Sequence, residues 1–367
     1  MAKKPRVKLY DVDGRIPNLA LMKLSTYYRS RGCAVELVRV RGPELPPNCG
    51  DGDLHFASAV FYRNQSARRL AILKATFDSR LEIGGPGANL KRRLSPDIDS
   101  CFPDYSLYRH RQYALGFLTR GCKKRCPFCL VPIQEGRSIR RVGGFADFVP
   151  PGQQRVLLLD DNLLAFEGAD LLLQEMAERR YAVNFSQTLD IAYLDEIKHQ
   201  LLLRVDSRNA AFNKRMYYFS LNHPSSMRLF EERRQMLKSF GKDHVGVVSL
   251  YGFDTTLSQD YVRWRCLKRL GLIPFFQQYW PIGGIPSRLS TDFFDMDLDE
   301  MIRLTFRSNG QNWEKYLRWL NRRYFETFGR YYRPLVEIIY RYNHKECIER
   351  YLRRSGLLTT EVYRDYH

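Results

Sequence analysis

The sequence predicts an α/β protein made of three regions: a small open-sheet domain, a partial (βα)6 barrel and a helical C-terminal extension. Three observations carry this expectation. Strand and helix patterns alternate in two series, over residues 5–90 and again from residue 112, and such alternation favours largely parallel sheets covered by helices. A polar, Pro-containing connector at 91–111 separates the two series. The chain, at 367 residues with 44 % apolar and 13 % aromatic content, can bury a full core and is long enough for two domains. Its ordinary Gly and Pro content excludes collagen-like and low-complexity classes.

The first series opens with a short strand at 7–10 that ends in Asp11-Val-Asp13-Gly14. Residues 17–31 have helical spacing, with Ala20, Leu24, Tyr27 and Tyr28 on one broad face; Pro17 suits a first turn and Gly32 a stop. Strands are predicted at 33–40 and 56–62, a helix at 66–77, and a strand at 81–83 that runs into Gly84-Gly-Pro-Gly87. That turn lacks the spacing of a nucleotide-binding loop, so a plain Gly-rich turn is expected, with a backbone phosphate cradle as the rival. The second series places strands at 113–118, 156–159, 183–187, 216–221, 245–251 and 273–279, a helix at 169–180, and helical stretches between the later strands. Six such units make three quarters of an eight-fold barrel. From 298 to 358 the pattern is helical and dense in Arg and aromatics. The predicted boundaries are 1–90, 91–111 (linker), 112–285 and 286–367.

No apolar run reaches the length of about 18 residues that a membrane span needs, and no apolar stretch follows Met1-Ala-Lys-Lys-Pro-Arg6. A cytoplasmic location without a membrane partner is therefore expected, and the eight cysteines are read as thiols. Cys33, Cys49, Cys101, Cys266 and Cys347 are scattered and read as small buried side chains. Cys122, Cys126 and Cys129 crowd together in Gly116-Phe-Leu-Thr-Arg-Gly-Cys122-Lys-Lys-Arg-Cys126-Pro-Phe-Cys129, which favours metal binding. The spacing Cys-x3-Cys-x2-Cys can ligate three irons of a 4Fe–4S cluster and leave the fourth free. The rivals are a zinc site completed by a distant His, since no second cysteine pair exists, and a chance grouping of structural cysteines. Lys123, Lys124 and Arg125 either offset the charge of a thiolate-bound cluster or form a solvated basic loop. Gly121 lets the backbone approach a cluster closely.

With Phe128 ahead of the third cysteine, the segment resembles the signature of the radical S-adenosylmethionine superfamily, Cys-x3-Cys-x-aromatic-Cys. The resemblance implies that the motif follows the first strand of a partial (βα)6 TIM barrel. It implies that Cys122, Cys126 and Cys129 hold one 4Fe–4S cluster whose open iron chelates S-adenosylmethionine. One-electron reduction, by a partner such as flavodoxin or ferredoxin, would then yield methionine and a 5′-deoxyadenosyl radical that abstracts hydrogen from a substrate. Cofactor-binding residues would lie at the carboxyl ends of the barrel strands. These are Phe128 by the cluster, Asp160, Asp161 and Asn162 near the methionine amino group, Gln187 with Asp190 after the third strand, and Ser220 and Asn222 near the ribose. The family's commonest second-strand sequence is Gly-Gly-Glu; Asp-Asp-Asn is similar to members with a cobalamin-type N-terminal domain. Ordinary strand-end capping is the structural alternative for these positions. Gln277, Gln278 and Tyr279, ahead of Pro281-Ile-Gly-Gly284, face the substrate or close the barrel. No catalytic residue is assigned.

The first series resembles the flavodoxin-like, cobalamin-binding domain that precedes the barrel in one radical-enzyme class. Pro17-Asn-Leu-Ala-Leu-Met-Lys23, Gly84-Gly-Pro-Gly87 and Pro103-Asp-Tyr-Ser-Leu-Tyr108 carry that similarity, which spans residues 5–285. Base-off cobalamin domains ligate cobalt through the His of Asp-x-His-x-x-Gly, and Asp11-Val-Asp13-Gly14 has no His, so cobalamin is disfavoured. Leu130-Val-Pro132 and Glu135-Gly-Arg137-Ser-Ile-Arg140 look similar to the methylthiotransferases of tRNA and ribosomal protein. Those enzymes need three N-terminal cysteines, and Cys33, Cys49 and Cys101 have the wrong intervals.

A formal net charge of +19 attracts phosphates. In the C-terminal extension Trp313, Trp319, Tyr324, Phe325, Tyr331, Tyr332, Tyr340 and Tyr351 are interleaved with Arg. They form either a nucleic-acid or nucleotide surface or an amphipathic helical cap. The expected function is hydrogen abstraction from a small, phosphorylated or nucleoside-type substrate, in a lyase or rearrangement reaction. The alternatives are a cobalamin-dependent radical methyltransferase, a nucleic-acid-binding protein with a structural metal site, and a tRNA-modifying, methylthiotransferase-like enzyme.

Overall fold

The computed structural model describes residues 4–279 apart from 43, 46–48, 62, 111 and 252, and omits the side chains of 251, 257, 258, 261, 276 and 278. The expected helical extension, Pro281-Ile-Gly-Gly284, Cys347 and the Gln278 side chain lie outside the described residues. The described residues divide into two compact units, 4–219 and 220–279.

The first unit begins with β1 (Arg6–Asp11), α1 (Leu19–Ser30), β2 (Ala34–Arg39), β3 (Leu54–Ser58), α2 (Asn64–Phe77) and β4 (Leu81–Gly84). The four strands are parallel in the order β2-β1-β3-β4. Val7 and Leu9 pack with Leu21, Leu24 and Phe56. Tyr10 and Val12 pack with Val38, Ala57, Leu73 and Phe77. Both faces of the sheet are thus covered, and the central strand β1 is buried from Val7 to Asp11, its Lys8 and Asp11 included. Pro17 lies ahead of α1 and not in its first turn, and Asn18 caps the helix, its side chain accepting from Leu21 N at 3.2 Å. Gly32, at φ 79°, ends that helix as expected. The strand expected at 56–62 stops at Ser58, because Asp13 takes the N–H groups of Val60 and Phe61 at 2.7 and 3.0 Å and draws the chain out of the ladder.

The connector contributes α3 (Pro96–Asp99) and the buried Tyr108. Leu19 and Met22 of α1 pack with Tyr108, Tyr113, Leu115, Leu157 and Phe212. Each fully buried large side chain there is worth about 1.5–3 kcal/mol. The second series follows as β5 (Ala114–Gly116), β6 (Thr119–Arg120), α4 (Val131–Gln134), β7 (Arg140–Arg141), β8 (Arg155–Leu158), α5 (Ala169–Glu178), β9 (Ala182–Phe185), α6 (Glu196–Arg204), β10 (Asp206–Ser207) and β11 (Tyr217–Ser220). One parallel sheet has the order β10-β9-β8-β5, while β6 and β7 form a separate antiparallel pair.

In the second unit, α7 (Met227–Glu232) and α8 (Arg234–Ser239) precede β12 (Val245–Tyr251), α9 (Leu257–Arg269) and β13 (Ile273–Gln278). β12 and β13 are parallel, with Gly246 opposite Ile273. Thr256 and Gln259 form a capping box at the start of α9. Arg263 of α9 is fully buried and donates to the carbonyls of Leu221, Asn222 and Leu250 at 3.0, 2.9 and 2.8 Å. The protein is thus mixed α/β with parallel sheets. Among the described residues no helix is long and apolar enough to cross a membrane.

Candidate functional site

The three clustered cysteines lie on the segment between β6 and β7. The pairs Thr119↔Arg141 and Arg120↔Arg140 close its neck. Gly121 stands in this neck at φ 99°, and a Cβ there would lie 2.2 Å from the Ser138 carbonyl oxygen. The glycine is therefore required by the closure of the loop itself. Within the loop Cys129 N donates to the Cys126 carbonyl at 3.0 Å, and Pro132 opens the short helix α4. All three thiols are free and half-buried. Burial raises the Cys126 thiol and pushes Cys129 up to about 11; the nearby Lys124 ammonium works against burial at Cys126. Such thiols become ligands only by losing a proton, so a bound cation must supply the stabilisation that burial withholds. Among the described residues no group of three or more His, Cys, Asp or Glu is gathered for a single metal ion.

The loop rests on the strand ends beyond β8 and β9. Asp160, 6 % exposed, accepts from Leu118 N at 3.1 Å, Thr119 N at 2.5 Å and Thr119 Oγ1 at 2.6 Å. Asp161 Oδ2 accepts from Gly121 N at 2.8 Å. Consecutive carboxylates thus grip the chain where it leaves β5 and enters the cysteine loop. Burial pushes both carboxyls up to about 6, against the pull of these hydrogen bonds. Asn162 Nδ2 donates to Cys122 Sγ at 3.4 Å and to Asp190 Oδ2 at 3.2 Å. Among the described residues its buried Oδ1 has no hydrogen-bond partner. Turning the amide over would set oxygen against the Asp190 carboxylate, so the neighbours fix which atom is left over.

Asp190 arrives through a kink. β9 ends at Phe185, Thr188 adopts φ 52°, and Leu189 then bridges to Phe219, its N–H donating to the Tyr218 carbonyl at 2.7 Å. Asp190 caps a 3-10 turn through Ala192 N at 3.0 Å. Its oxygens take the Lys124 ammonium at 2.8 and 2.7 Å. At the neck, Glu135 lies 3.4 Å from Arg140 and 3.9 Å from Arg120.

Cys122, Cys126, Cys129, Asp160, Asp161 and Asn162 therefore come together, with Phe128 half-buried on the same loop. Gln187 is exposed beyond the end of β9, and Asp190 carries the contacts of that strand end. Ser220 and Asn222 belong to the second unit, where Asn222 Oδ1 accepts from Leu250 N at 2.9 Å. Gln277 is exposed, and Tyr279 is buried with its ring 4.8 Å from that of Phe253. Sequence reasoning missed Thr119 and Arg263. It named Glu135 and Arg140 only through a family likeness, although their five-residue interval already suits a loop-closing ion pair.

No protein-family model matches the chain, and no curated protein is significantly similar to it. Among solved structures it is similar in part to SuiB of Streptococcus suis. SuiB bound to S-adenosylmethionine aligns at 14 % identity over 56 % of this chain and 49 % of that one, with a TM-score of 0.36. SuiB bound to the precursor peptide SuiA aligns at 14 % identity over 58 % and 49 %, with a TM-score of 0.37. The matched region spans about half the length of SuiB.

Proposed function

We propose that this chain is a radical S-adenosylmethionine enzyme with one 4Fe–4S cluster on Cys122, Cys126 and Cys129. The observation that carries the reading is a single neck-closed loop holding three free thiols at Cys-x3-Cys-x2-Cys spacing, beside a buried acceptor, Asn162 Oδ1, that has no partner among the described residues. The donor set fits the cluster. One zinc ion would need its ligands drawn around a point at about 2.0–2.3 Å, whereas a cubane offers each thiolate its own iron. When bound, the cluster supplies the electron that splits S-adenosylmethionine into methionine and a 5′-deoxyadenosyl radical, which takes hydrogen from the substrate. The chain's own residues do the holding. Asp160 and Asp161 fix the loop's entry and neck, Asn162 offers its free oxygen to a ligand N–H, and Phe128 lies by the third cysteine.

The parallel order β5-β8-β9, with β11, β12 and β13 following in sequence, supports a partial (βα)6 barrel. The order β2-β1-β3-β4 is that of the first four strands of flavodoxin-like sheets. A small phosphorylated or nucleoside-type substrate, in a lyase or rearrangement reaction, is supported by the net charge and by Lys123, Arg125 and Arg137 exposed on the loop. A one-electron donor such as flavodoxin or ferredoxin completes the reading.

The residues do not fit a corrinoid in the first sheet. Its ligand would enter at the carboxyl ends of β1 and β3, where the strand order reverses. There Asp11 accepts from Gly14 N at 2.7 Å and from the Tyr108 hydroxyl at 3.1 Å, and Asn18 donates to Ser58 Oγ at 2.9 Å.

The test is anaerobic reconstitution with iron and sulfide, followed by dithionite reduction in the presence of S-adenosylmethionine. About four irons per chain, release of 5′-deoxyadenosine, and no visible bands beyond those of the cluster are expected. Cys126→Ala should lose both iron and cleavage. Binding of zinc alone, or a reduced cluster that leaves S-adenosylmethionine intact, overturns the proposal.

A further inference from the structure

We infer that Lys124 and Asp190 act as a positioning pair for the cysteine loop, fixing its place on the strand ends and the charge beside its thiolates. The inference about charge rests on the cluster proposed above; the inference about position does not.

Asp190 is a rigid base. The bridge from Leu189 to Phe219 holds its backbone, and the hydrogen bond to Ala192 N holds its side chain, which is 10 % exposed. Lys124 sits at the middle of the three residues between Cys122 and Cys126, so tying its ammonium down restrains both cysteines at once. Its neighbours Lys123 and Arg125 are exposed, and among the described residues neither forms an ion pair. Lys124 is thus the loop cation turned inward. Exposed ion pairs contribute little, but this one grips both oxygens of a carboxylate largely removed from water, where charge-assisted hydrogen bonds are stronger. The contacts continue to a sulfur: Asn162 Nδ2 touches both Asp190 and Cys122.

Removing either partner should loosen the loop, yet the two removals should have opposite electrostatic effects. Lys124→Gln leaves a bare carboxylate near the thiolates, which disfavours adding an electron. Asp190→Asn leaves a bare cation, which favours it. A merely structural clamp would show no such opposition.

The test uses Lys124→Gln, Asp190→Asn and the double variant of the full chain. In the metal-free protein, amide hydrogen exchange across 121–139 should quicken about tenfold in each single variant, as expected when a local opening loses one such contact. Lys124→Arg should restore the slow rate. In the reconstituted protein, the midpoint potential followed by electron paramagnetic resonance should fall in Lys124→Gln, rise in Asp190→Asn, and lie between them in the double variant. Unchanged exchange in both single variants overturns the positioning role. Potential shifts of the same sign in both overturn the electrostatic role. If the unaltered chain takes up no cluster, the radical-enzyme reading falls, while the exchange arm still decides the positioning claim.

Discussion

The first sheet and the sheet β10-β9-β8-β5 both end in acidic and amide side chains, but they use them differently. At the end of β1, Asp13 accepts from Val60 N, Phe61 N and Ser66 Oγ, Asp11 takes Gly14 N and the Tyr108 hydroxyl, and Asn18 spends its oxygen on Leu21 N. At the end of β8, Asp160 likewise takes three donors and Asp161 takes Gly121 N, but Asn162 Oδ1 is left over beside free thiols. Parallel sheets put polar groups at their carboxyl ends in either case. What separates a closed edge from a candidate site is whether the chain's own donors use up the acceptors.

The largest expected effect tests whether the neck makes the second edge usable. Gly121→Ala forces a side chain into a left-handed backbone, costing about 1–3 kcal/mol, and drives its Cβ onto the Ser138 carbonyl. Iron content after reconstitution should fall to near zero. The first sheet should survive, so far-ultraviolet circular dichroism should change little. Full iron uptake would show that the neck is not what gathers the cysteines.

A matched pair comes next. Asp160 and Asp13 each serve three donors, so truncating either leaves three donors without an acceptor, at about 1–3 kcal/mol for a buried group. Val60 and Phe61 are exposed, whereas Leu118 and Thr119 are buried. Water can reach two of Asp13's three donors, all but the buried Ser66 hydroxyl, and none of Asp160's. Asp160→Ala should lower the melting temperature by more than Asp13→Ala and should also reduce iron uptake, which Asp13→Ala leaves intact. Equal losses of iron would erase the distinction between the two edges.

The two asparagines sharpen it further. Asn18→Ala removes a helix cap, worth about 1 kcal/mol, and should not alter ligand binding. Asn162→Ala should keep its iron and weaken S-adenosylmethionine binding about tenfold, the effect of about 1.4 kcal/mol, as read by equilibrium dialysis. Binding that is unaffected removes Asn162 from the site.

These contrasts also mark what the sequence made visible. Periodicity located β12 at its observed ends and β13 to within one residue, because β12 is a largely apolar run and β13 opens on one directly after the Gly271 turn. It could not foresee that Asp13 would cut short the strand expected at 56–62, since that requires two strand ends to meet. The cysteine spacing carried the loop, but not what holds it. Asp160 and Asp161 could be named from their place after a strand, yet the N–H groups they accept lie some forty residues earlier. Gln187 looked as well placed as Asp190. Only the left-handed turn at Thr188 and the bridge at Leu189 turn the chain so that Asp190 faces the loop.

The smallest effect concerns acid, and it belongs to the closed half alone. His55 is buried, stacked 4.1 Å from Phe77, with Nε2 3.0 Å from the Gly52 carbonyl and Nδ1 2.9 Å from the Tyr10 hydroxyl. Nε2 therefore carries the proton, and Nδ1 is an acceptor. Burial lowers its pKa below the ordinary 6.5. In the unfolded chain His55 takes up a proton as pH falls through 6.5, while in the folded chain it resists. The folded state thus loses stability from pH 6.5 downward, until the lowered folded value is reached. One such proton changes stability by at most about 1.4 kcal/mol per pH unit. His55→Phe keeps the stack and leaves Tyr10 its bond to the Cys49 carbonyl. Its stability should therefore fall less steeply than that of the unaltered chain between pH 6.5 and 5, as measured by urea denaturation. Identical slopes would mean that His55 is protonated in the fold, which its hydrogen bonds to a carbonyl and a hydroxyl could accommodate only if Tyr10 turned its proton wholly to Cys49.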